Sequence, residues 1–374
     1  MRLSGLAIRS FRNLGAQDLE IPPEGVAIIG DNAQGKSNLL EAIYYLETFR
    51  SFRGARDEPL VAFGQDVFRV AGTTTPAGSE DRAGEVAAAF QRRGKKKKVT
   101  VDGSEPERIG EALGHLAAVI FSPADIELVS GGPAERRRFL DIVLSLNAPG
   151  YLTSLQAYRK VLGQRNAALK SGGSGATVSA WDQGLVAAGA EVMTARRAWV
   201  ERRCDAFGDY YQRVSSGRRG RMTYRPSVVL DDAMDVDAVR AAFRDAVSDS
   251  SDRERRQGVT VVGPHRDDVR LTLEEESETM DLRDYGSGGQ RRTAALALRL
   301  VEAMTIREAR SRSPMILLDD VFAELDEGRS ERVLDLMEAE DTGQVVLTAP
   351  KEGDVRIRRD ALPRWRIRAG RVST

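Results

Sequence analysis

Apolar and polar positions alternate at Leu3 to Ile8 and at Asp18 to Ile21, which predicts two short strands. Val26-Ala27-Ile28-Ile29 predicts a compact apolar strand, followed by a glycine-rich loop and a helix from about Lys36 to Phe49. Glu85 to Val101 alternates loosely and breaks at Arg92-Arg93-Gly94, as a hairpin does, and Asp102-Gly103 is a second turn signal. The period then changes. Glu135 to Leu169 and Ser179 to Val214 read as helical, and in the second stretch Trp181, Leu185, Ala188, Val192, Ala195 and Trp199 recur at alternating steps of four and three. That is an a/d seam over about three heptads. Ser171 to Ala176 links the two stretches, so they predict an antiparallel hairpin arm, about 54 Å long at 1.5 Å per residue. Past Pro226 the chain is acidic and mixed. Strand texture returns at Gly258 to Val262 and Val269 to Leu273. A helix from Gly289 to about Ala309, a strand Met315 to Leu318, a helix near Arg329 to Glu338 and a strand Gln344 to Thr348 follow. The two ends share one texture and the middle another. The expectation is one α/β domain, residues 1–125 and 258–374, interrupted by a helical arm over 126–257.

Composition changes this picture in three places. The 56 Lys and Arg balance 56 Asp and Glu, which excludes nucleic-acid binding through bulk charge. Locally the balance fails: Gly131 to Arg225 holds 16 basic against 7 acidic residues, a charge of +9 that the rest of the chain cancels. One cysteine, Cys204, excludes an intrachain disulfide and a Cys-rich zinc site, and two histidines, His115 and His265, argue against a histidine metal centre. The opening MRLSGLAIRSFRNL has no apolar core of signal-peptide length, and no apolar run approaches ~18 residues. A soluble, cytoplasmic protein without a membrane partner is expected.

The chemistry lies in three motifs. Gly30-Asp31-Asn32-Ala33-Gln34-Gly35-Lys36-Ser37, with Asn38 behind it, has the spacing of a phosphate-binding loop, entered by a strand and left by a helix. Its glycines let N–H groups turn toward phosphates, Lys36 would reach the β- and γ-phosphates, and Ser37 would ligate Mg²⁺. Met315-Ile316-Leu317-Leu318-Asp319-Asp320 reads as a buried parallel strand with acids at its C-terminal edge. Asp319 would hold the metal ion and Asp320 would orient or activate the attacking water. The third motif, Tyr285-Gly286-Ser287-Gly288-Gly289-Gln290, opens a helix with a core stripe of Ala294, Leu298, Val301 and Met304, with Ser287 as its N-cap.

Ser287-Gly288-Gly289-Gln290 resembles the signature of the ATP-binding-cassette ATPases, and Ala323-Glu324-Leu325-Asp326 resembles their D-loop. Lys36 and Ser287 stand 251 residues apart, too far for a compact transporter domain and too close for a long SMC coiled coil. With LAIRSFRNL at Leu6 to Leu14, Arg50-Ser51-Phe52-Arg53, Phe121-Ser122-Pro123, GPHRDD at Gly263 to Asp268 and LLDDVFAELD at Leu317 to Asp326, the chain resembles the RecF family end to end. The resemblance implies an α/β, SMC-like ATPase head of the cassette type with a short coiled-coil-like arm. It implies an ATP- and Mg²⁺-dependent homodimer that closes on DNA at single-strand/duplex junctions, in recombinational gap repair and replication-fork maintenance. RecO and RecR would be its partners in loading RecA, and weak, DNA-stimulated hydrolysis would release the DNA. The resemblance also places Lys36, Ser287, Gln290, Asp319 and Asp320 in the catalytic set, and Gly288, Gly289 and Asp326 at the nucleotide across the dimer. Asp320 stands where the superfamily commonly has glutamate, one methylene longer, which implies slow hydrolysis; Thr348 is the nearest equivalent of the switch histidine. An SMC-like structural ATPase or a transporter ATPase subunit are the alternatives.

Arg92, Arg93, Lys95, Lys96, Lys97 and Lys98 crowd six positive charges into seven residues. On a hairpin tip they would contact DNA phosphates; the alternative is a solvated face. Arg136, Arg137, Arg138, Arg196, Arg197, Arg202 and Arg203 are weaker candidates for the same role. Arg12 and Asn13 follow the first strand, where related ATPases bring side chains to the nucleotide. His265 and Cys204 read as structural.

Overall fold

The computed structural model describes residues 2–75, 83–215, 217–231, 235–274, 279–339, 343–355 and 362–374, without the side chains of residues 323, 324 and 338. Its first part holds β1 (Arg2–Arg9), β2 (Gln17–Glu20), β3 (Gly25–Ile29), α1 (Lys36–Thr48), β4 (Val67–Thr75), β5 (Gly84–Gln91), β6 (Lys96–Val101) and β7 (Ala118–Phe121). The middle holds α2 (Glu127–Ser130), α3 (Pro133–Asn147), α4 (Tyr151–Lys170), α5 (Gly175–Ser179), α6 (Asp182–Ser215), β8 (Gly220–Arg225), α7 (Val236–Gln257), β9 (Asp268–Glu274), β10 (Thr279–Asp281) and α8 (Leu282–Tyr285). Then come α9 (Gly288–Arg310), β11 (Met315–Leu318), α10 (Glu327–Ala339), β12 (Val345–Ala349), β13 (Arg364–Arg368) and β14 (Arg371–Ser373).

Contacts divide the chain into two units, residues 1–125 with 298–374, and residues 126–297. The first unit carries two sheets. One is antiparallel, in the order β2-β1-β4-β5-β6; the other runs β14-β13-β3-β12-β11-β7 and is parallel except where β14 pairs with β13. The apolar run of β3 lies between β12 and β13, and its five residues are buried. From Leu39 to Thr48 every residue of α1 is buried, within one core that also takes Leu6, Phe68 and Phe90 from the first sheet and Ile28, Leu317 and Val346 from the second. A helix buried on all sides must satisfy its own polar groups. Glu41 does so through Arg12 (2.9 and 3.0 Å) and the Ser51 hydroxyl. Glu47 accepts from the backbone N–H groups of Leu116 and Ala117 and from Arg310 (3.0 Å).

The second unit is richer than a two-helix hairpin. α4 and α6 do pack together, but the long apolar stripe of α6 also meets α7 and β8. Gly189 leaves room for a close approach: a Cβ there would stand 2.5 Å from the Phe243 ring of α7. The expected continuous helix over 135–169 breaks at Ala148-Pro149-Gly150, where proline supplies no N–H and Gly150 turns left-handed at φ +79°. Gly258 to Val262 is a loop rather than a strand, with Gly258 as the left-handed cap of α7. The stretch 258–297, expected in the α/β domain, belongs to the second unit, because β9 pairs with β8 and β10 to form a three-stranded antiparallel sheet. Among the described residues no helix is long and apolar enough to cross a membrane.

Candidate nucleotide site and basic hairpin

Between β3 and α1 the chain makes a tight loop. Ala33 (φ +65°) and Gly35 (φ +112°) both take left-handed backbone, and a Cβ on Gly35 would press within 3.0 Å of Asn13 Oδ1. Lys36, only 4% exposed, folds its Nζ back to the carbonyls of Gly30 (2.7 Å) and Asp31 (3.4 Å). The same Nζ lies 3.6 Å from Asp320 Oδ2. Among the described residues no side chain caps α1 and no acid occupies its first turn. Its orphan N–H groups and partial positive charge are therefore left for an anion. Gln34 anchors the loop to the far end of the chain, accepting from Gly370 N (2.9 Å) through its carbonyl and from Ala369 N (2.7 Å) through its side chain. Asp31 and Asn32 are exposed at the loop's crest.

The two acids leave β11 beside this loop. Asp319 is buried, and burial raises its pKa. Hydrogen bonds from Ser37 and Thr348 and the charge of Arg53 pull it back down, while Asp320 pushes it up. Thr348 at the end of β12 is shared: its Oγ1 lies 3.2 Å from Asp319 Oδ1 and 3.2 Å from Asp320 Oδ1, and accepts the Asp320 N–H at 3.0 Å. Asp320 itself is left-handed at φ +49°, a conformation held by this contact. The Ser37 hydroxyl and the Asp319 carboxylate are hard oxygen ligands in contact with each other, a donor pair that fits Mg²⁺ completed by phosphate and water.

Arg12 and Asn13 part company here. Asn13 does join the loop, donating to Ala33 O (3.4 Å) and accepting from Asn38 Nδ2 (2.8 Å). The Arg12 guanidinium is instead taken up by Glu41, so its visible role is to neutralise a buried carboxylate. Arg53 is a site residue that the sequence does not single out. It hydrogen-bonds Asn38 Oδ1 at 3.1 Å and stands 3.9 Å from Asp319; Arg50-Ser51-Phe52-Arg53 was its only signal.

In the second unit Ser287 and Gln290 form a reciprocal cap. Gln290 N donates to Ser287 Oγ at 3.2 Å and Ser287 N donates to Gln290 Oε1 at 2.7 Å. This leaves Gly288 exposed, and a Cβ there would meet nothing within 4 Å, so no internal contact requires glycine. The helix that follows is buried nearly all round rather than along one stripe, and Met304 of the expected stripe is only half-buried. Asp326 caps α10, accepting from Arg329 N at 2.9 Å; the side chains of Ala323 and Glu324 in the D-loop lie outside the described residues.

The hairpin β5–β6 carries its charges unequally. Strand alternation sends Lys96 and Lys98 outward and Lys97 inward, where it donates to Phe49 O (2.7 Å), pairs with Asp57 (2.7 Å) and covers the Tyr45 ring. Lys97 is thus a structural residue rather than an exposed phosphate contact. Arg92 ties the neighbouring loop through Gln65 O and Val61 O. Lys95 and Lys98 have loose, exposed acidic neighbours in Glu58 and Glu105. Among the described residues Arg93 and Lys96 are exposed with no acid in ion-pair range. Most basic candidates of the second unit are likewise occupied. Arg136 pairs with Asp268 through two hydrogen bonds, and Arg196 binds Asp141, Tyr151 and Pro264 O. Arg137 donates to Asp267 O, Arg197 to Glu201 and Asp231 O, and Arg202 to Ala198 O.

A family model described as the RecF/RecN/SMC N-terminal domain matches residues 2–363. The DNA replication and repair protein RecF of Halalkalibacterium halodurans is 35% identical over 339 residues, which covers 89% of each chain. That of Synechococcus sp. (strain JA-3-3Ab) is 37% identical over 90% of this chain and 89% of the relative. A solved structure of the recombination mediator protein RecF with ATP, in the RecFOR pathway, superposes with a TM-score of 0.89 at 32% identity, covering 99% of this chain and 96% of that one. An SMC head bound to the C-terminal winged-helix domain of ScpA shares the fold at a TM-score of 0.57 and 15% identity, over 100% and 96% of the two chains. With its phosphate-loop lysine, paired acids and capped Ser-Gly-Gly-Gln helix, the chain belongs to the RecF family.

Proposed function

We propose that this chain is an ATP-dependent DNA-binding recombination mediator: with ATP it closes as a homodimer on DNA at single-strand/duplex junctions, and with RecO and RecR it assists the loading of RecA. The observation that carries the reading is the convergence of Lys36, Ser37, Asp319 and Asp320 around one uncapped helix start. Lys36 exchanges the carbonyls of Gly30 and Asp31 for the β- and γ-phosphate oxygens, and the first N–H groups of α1 complete the cradle. Ser37 and Asp319 would hold Mg²⁺, whose charge would offset both the phosphates and the buried carboxylate. Asp320 orients water for attack, with Thr348 holding its backbone and carboxylate in place. Its short side chain makes the hydrolytic step slow relative to the closing of the dimer. The N–H groups of Gly288 and Gly289 in the second copy, opened by the Ser287–Gln290 cap, bind the γ-phosphate from the far side. Arg93, Lys95, Lys96 and Lys98 contact DNA phosphates without regard to sequence.

Light scattering under conditions that block hydrolysis tests the composite site. Ser287→Arg should bind ATP as wild type does yet stay monomeric, whereas Lys36→Met should lose ATP binding and dimerisation together. Mixed in equal amounts, the two variants retain one intact composite site and should recover part of the dimer. A Ser287→Arg chain that dimerises with ATP as readily as wild type overturns the two-chain site.

A further inference from the structure

Phe63 stands fully in solvent, 103% exposed, at the tip of a tight turn. The Gln65 N–H closes that turn on Ala62 O (3.1 Å), with Gly64 left-handed at φ +75° in the third position. Turn tips are ordinarily polar, and a phenyl ring there adds nothing to the fold, since its own contacts are with water. Its neighbourhood is the basic hairpin. Val67 pairs with Gln91 and Gln91 with Lys96, so the loop entering β4 and the turn between β5 and β6 emerge at the same edge of the sheet. Arg92 fastens them together, through its N–H to Asp66 O (2.7 Å) and its guanidinium to Gln65 O (3.1 Å) and Val61 O (3.4 Å). On that edge Arg93, Lys95 and Lys96 are exposed, against Glu58, which lies 3.9 Å from Lys95, and the exposed Asp66. Val67, next along the chain, is 43% exposed.

An exposed ring on a hydrogen-bonded turn beside several cations is the combination that binds single-stranded nucleic acid: cations track the backbone and the ring stacks on a base. In a duplex every base is already stacked on both sides, so a ring of this kind is useful only where the pairing ends. We propose that Phe63 stacks on the first unpaired base of a single-strand/duplex junction while Arg93, Lys95 and Lys96 hold the adjoining phosphates. The inference rests on the DNA-binding reading above and adds to it the element that distinguishes a junction from uniform duplex.

Binding of the full-length chain with ATP to a blunt duplex, a single strand and a tailed duplex, followed by anisotropy at several salt concentrations, tests both layers separately. Phe63→Ala should weaken tailed and single-stranded DNA roughly tenfold, within the range of one lost stacking contact, leaving blunt-duplex affinity and the salt slope unchanged. Phe63→Trp should restore the affinity and Phe63→Leu should not, because leucine keeps apolar area but has no π-face. 2-Aminopurine as the first unpaired base should be quenched by wild type and Phe63→Trp alone. Arg93→Ala with Lys96→Ala should flatten the salt slope on all three DNAs; an unchanged slope overturns the basic-edge reading itself. A flattened slope together with unaltered junction binding by Phe63→Ala overturns the stacking role alone. If Phe63→Ala and Phe63→Trp both lose ATP-dependent dimerisation at unchanged DNA affinity, the ring is a protein contact and the proposal fails.

Discussion

Both ring nitrogens of His265 are engaged, with Nδ1 2.6 Å from the Tyr158 hydroxyl and Nε2 3.0 Å from Thr260 O. A carbonyl can only accept, so Nε2 carries a proton, and in the neutral ring Nδ1 then accepts from the phenol. This arrangement suits the neutral ring. Burial is the main reason its pKa falls to about 4; the Thr260 bond opposes that shift and Arg266, Arg137 and Arg196 add to it. The sign of the consequence follows. Between pH 6.5 and about 4 the unfolded chain binds a proton here that the folded chain refuses, so stability falls as pH falls through that window and is unaffected above it. From pH 7.5 to 5 this group alone should withdraw about 2 kcal/mol. His265→Gln cannot lose stability by this route. Denaturant titrations at the two pH values should show its deficit relative to wild type shrinking by about that amount, and a deficit that stays constant would assign the acid sensitivity elsewhere.

At the scale of elements, β6 shows what a charge run conceals. Four consecutive lysines look alike in the sequence, yet the period of two in a strand places Lys97 against Tyr45 and Asp57 while Lys96 and Lys98 face water. Lys96→Ala with Lys98→Ala should therefore lower the log–log salt slope of duplex binding by up to about 0.9 per lost phosphate contact and leave stability nearly untouched. Lys97→Ala should do the reverse, costing roughly 1–3 kcal/mol of folding stability through the unpaired Asp57 and Phe49 carbonyl, with the slope preserved. Equal slopes for both variants would mean that burial does not sort these lysines. The hairpin itself was legible, because Arg92-Arg93-Gly94 is a turn between alternating segments. The phosphate loop and the acids of β11 were legible for a related reason: each couples an apolar run to a local motif. Thr348 and Arg53 were hidden, since a single hydroxyl or guanidinium acquires its meaning only when strands distant in sequence bring Asp319 to it. β8 and α7 were hidden differently. The densely charged surface of α7, with acids and arginines mixed, dilutes the periodicity of Val239, Phe243 and Val247, which carry its buried face.

For the molecule as a whole, each of the two units has its own interior, and that of residues 126–297 includes a buried ionic knot. Arg165, 2% exposed, donates to Asp182 (2.7 Å) and Thr260 (2.9 Å) and lies 2.6 Å from Glu254, itself fully buried. Arg165→Met removes one partner and strands Glu254 without its cation, a change that costs about 3–5 kcal/mol in comparable sites. Hydrogen exchange should report faster opening of amides in 126–297, with ATP affinity and the protection of residues 1–125 retained. Uniform loss of protection across both units would mean that they open as one. Why the boundary at 257 misled is clear from β9: its alternating texture matches the strands of the ATPase sheets, and only pairing with β8 decides which unit it joins.

The place of β3 between β12 and β13 has a consequence for synthesis on the ribosome. The antiparallel sheet is complete once residue 101 has emerged, but both neighbours of β3 are encoded more than 300 residues after it. At 5–20 residues per second, Val26-Ala27-Ile28-Ile29 waits about 15–60 s for the strands that will flank it, while the intervening unit is translated whole and can fold ahead of it. The loop that would grip ATP is tied to that delay, for Gln34 takes its anchoring hydrogen bonds from Ala369, 335 residues further along the chain, and from Gly370 beside it.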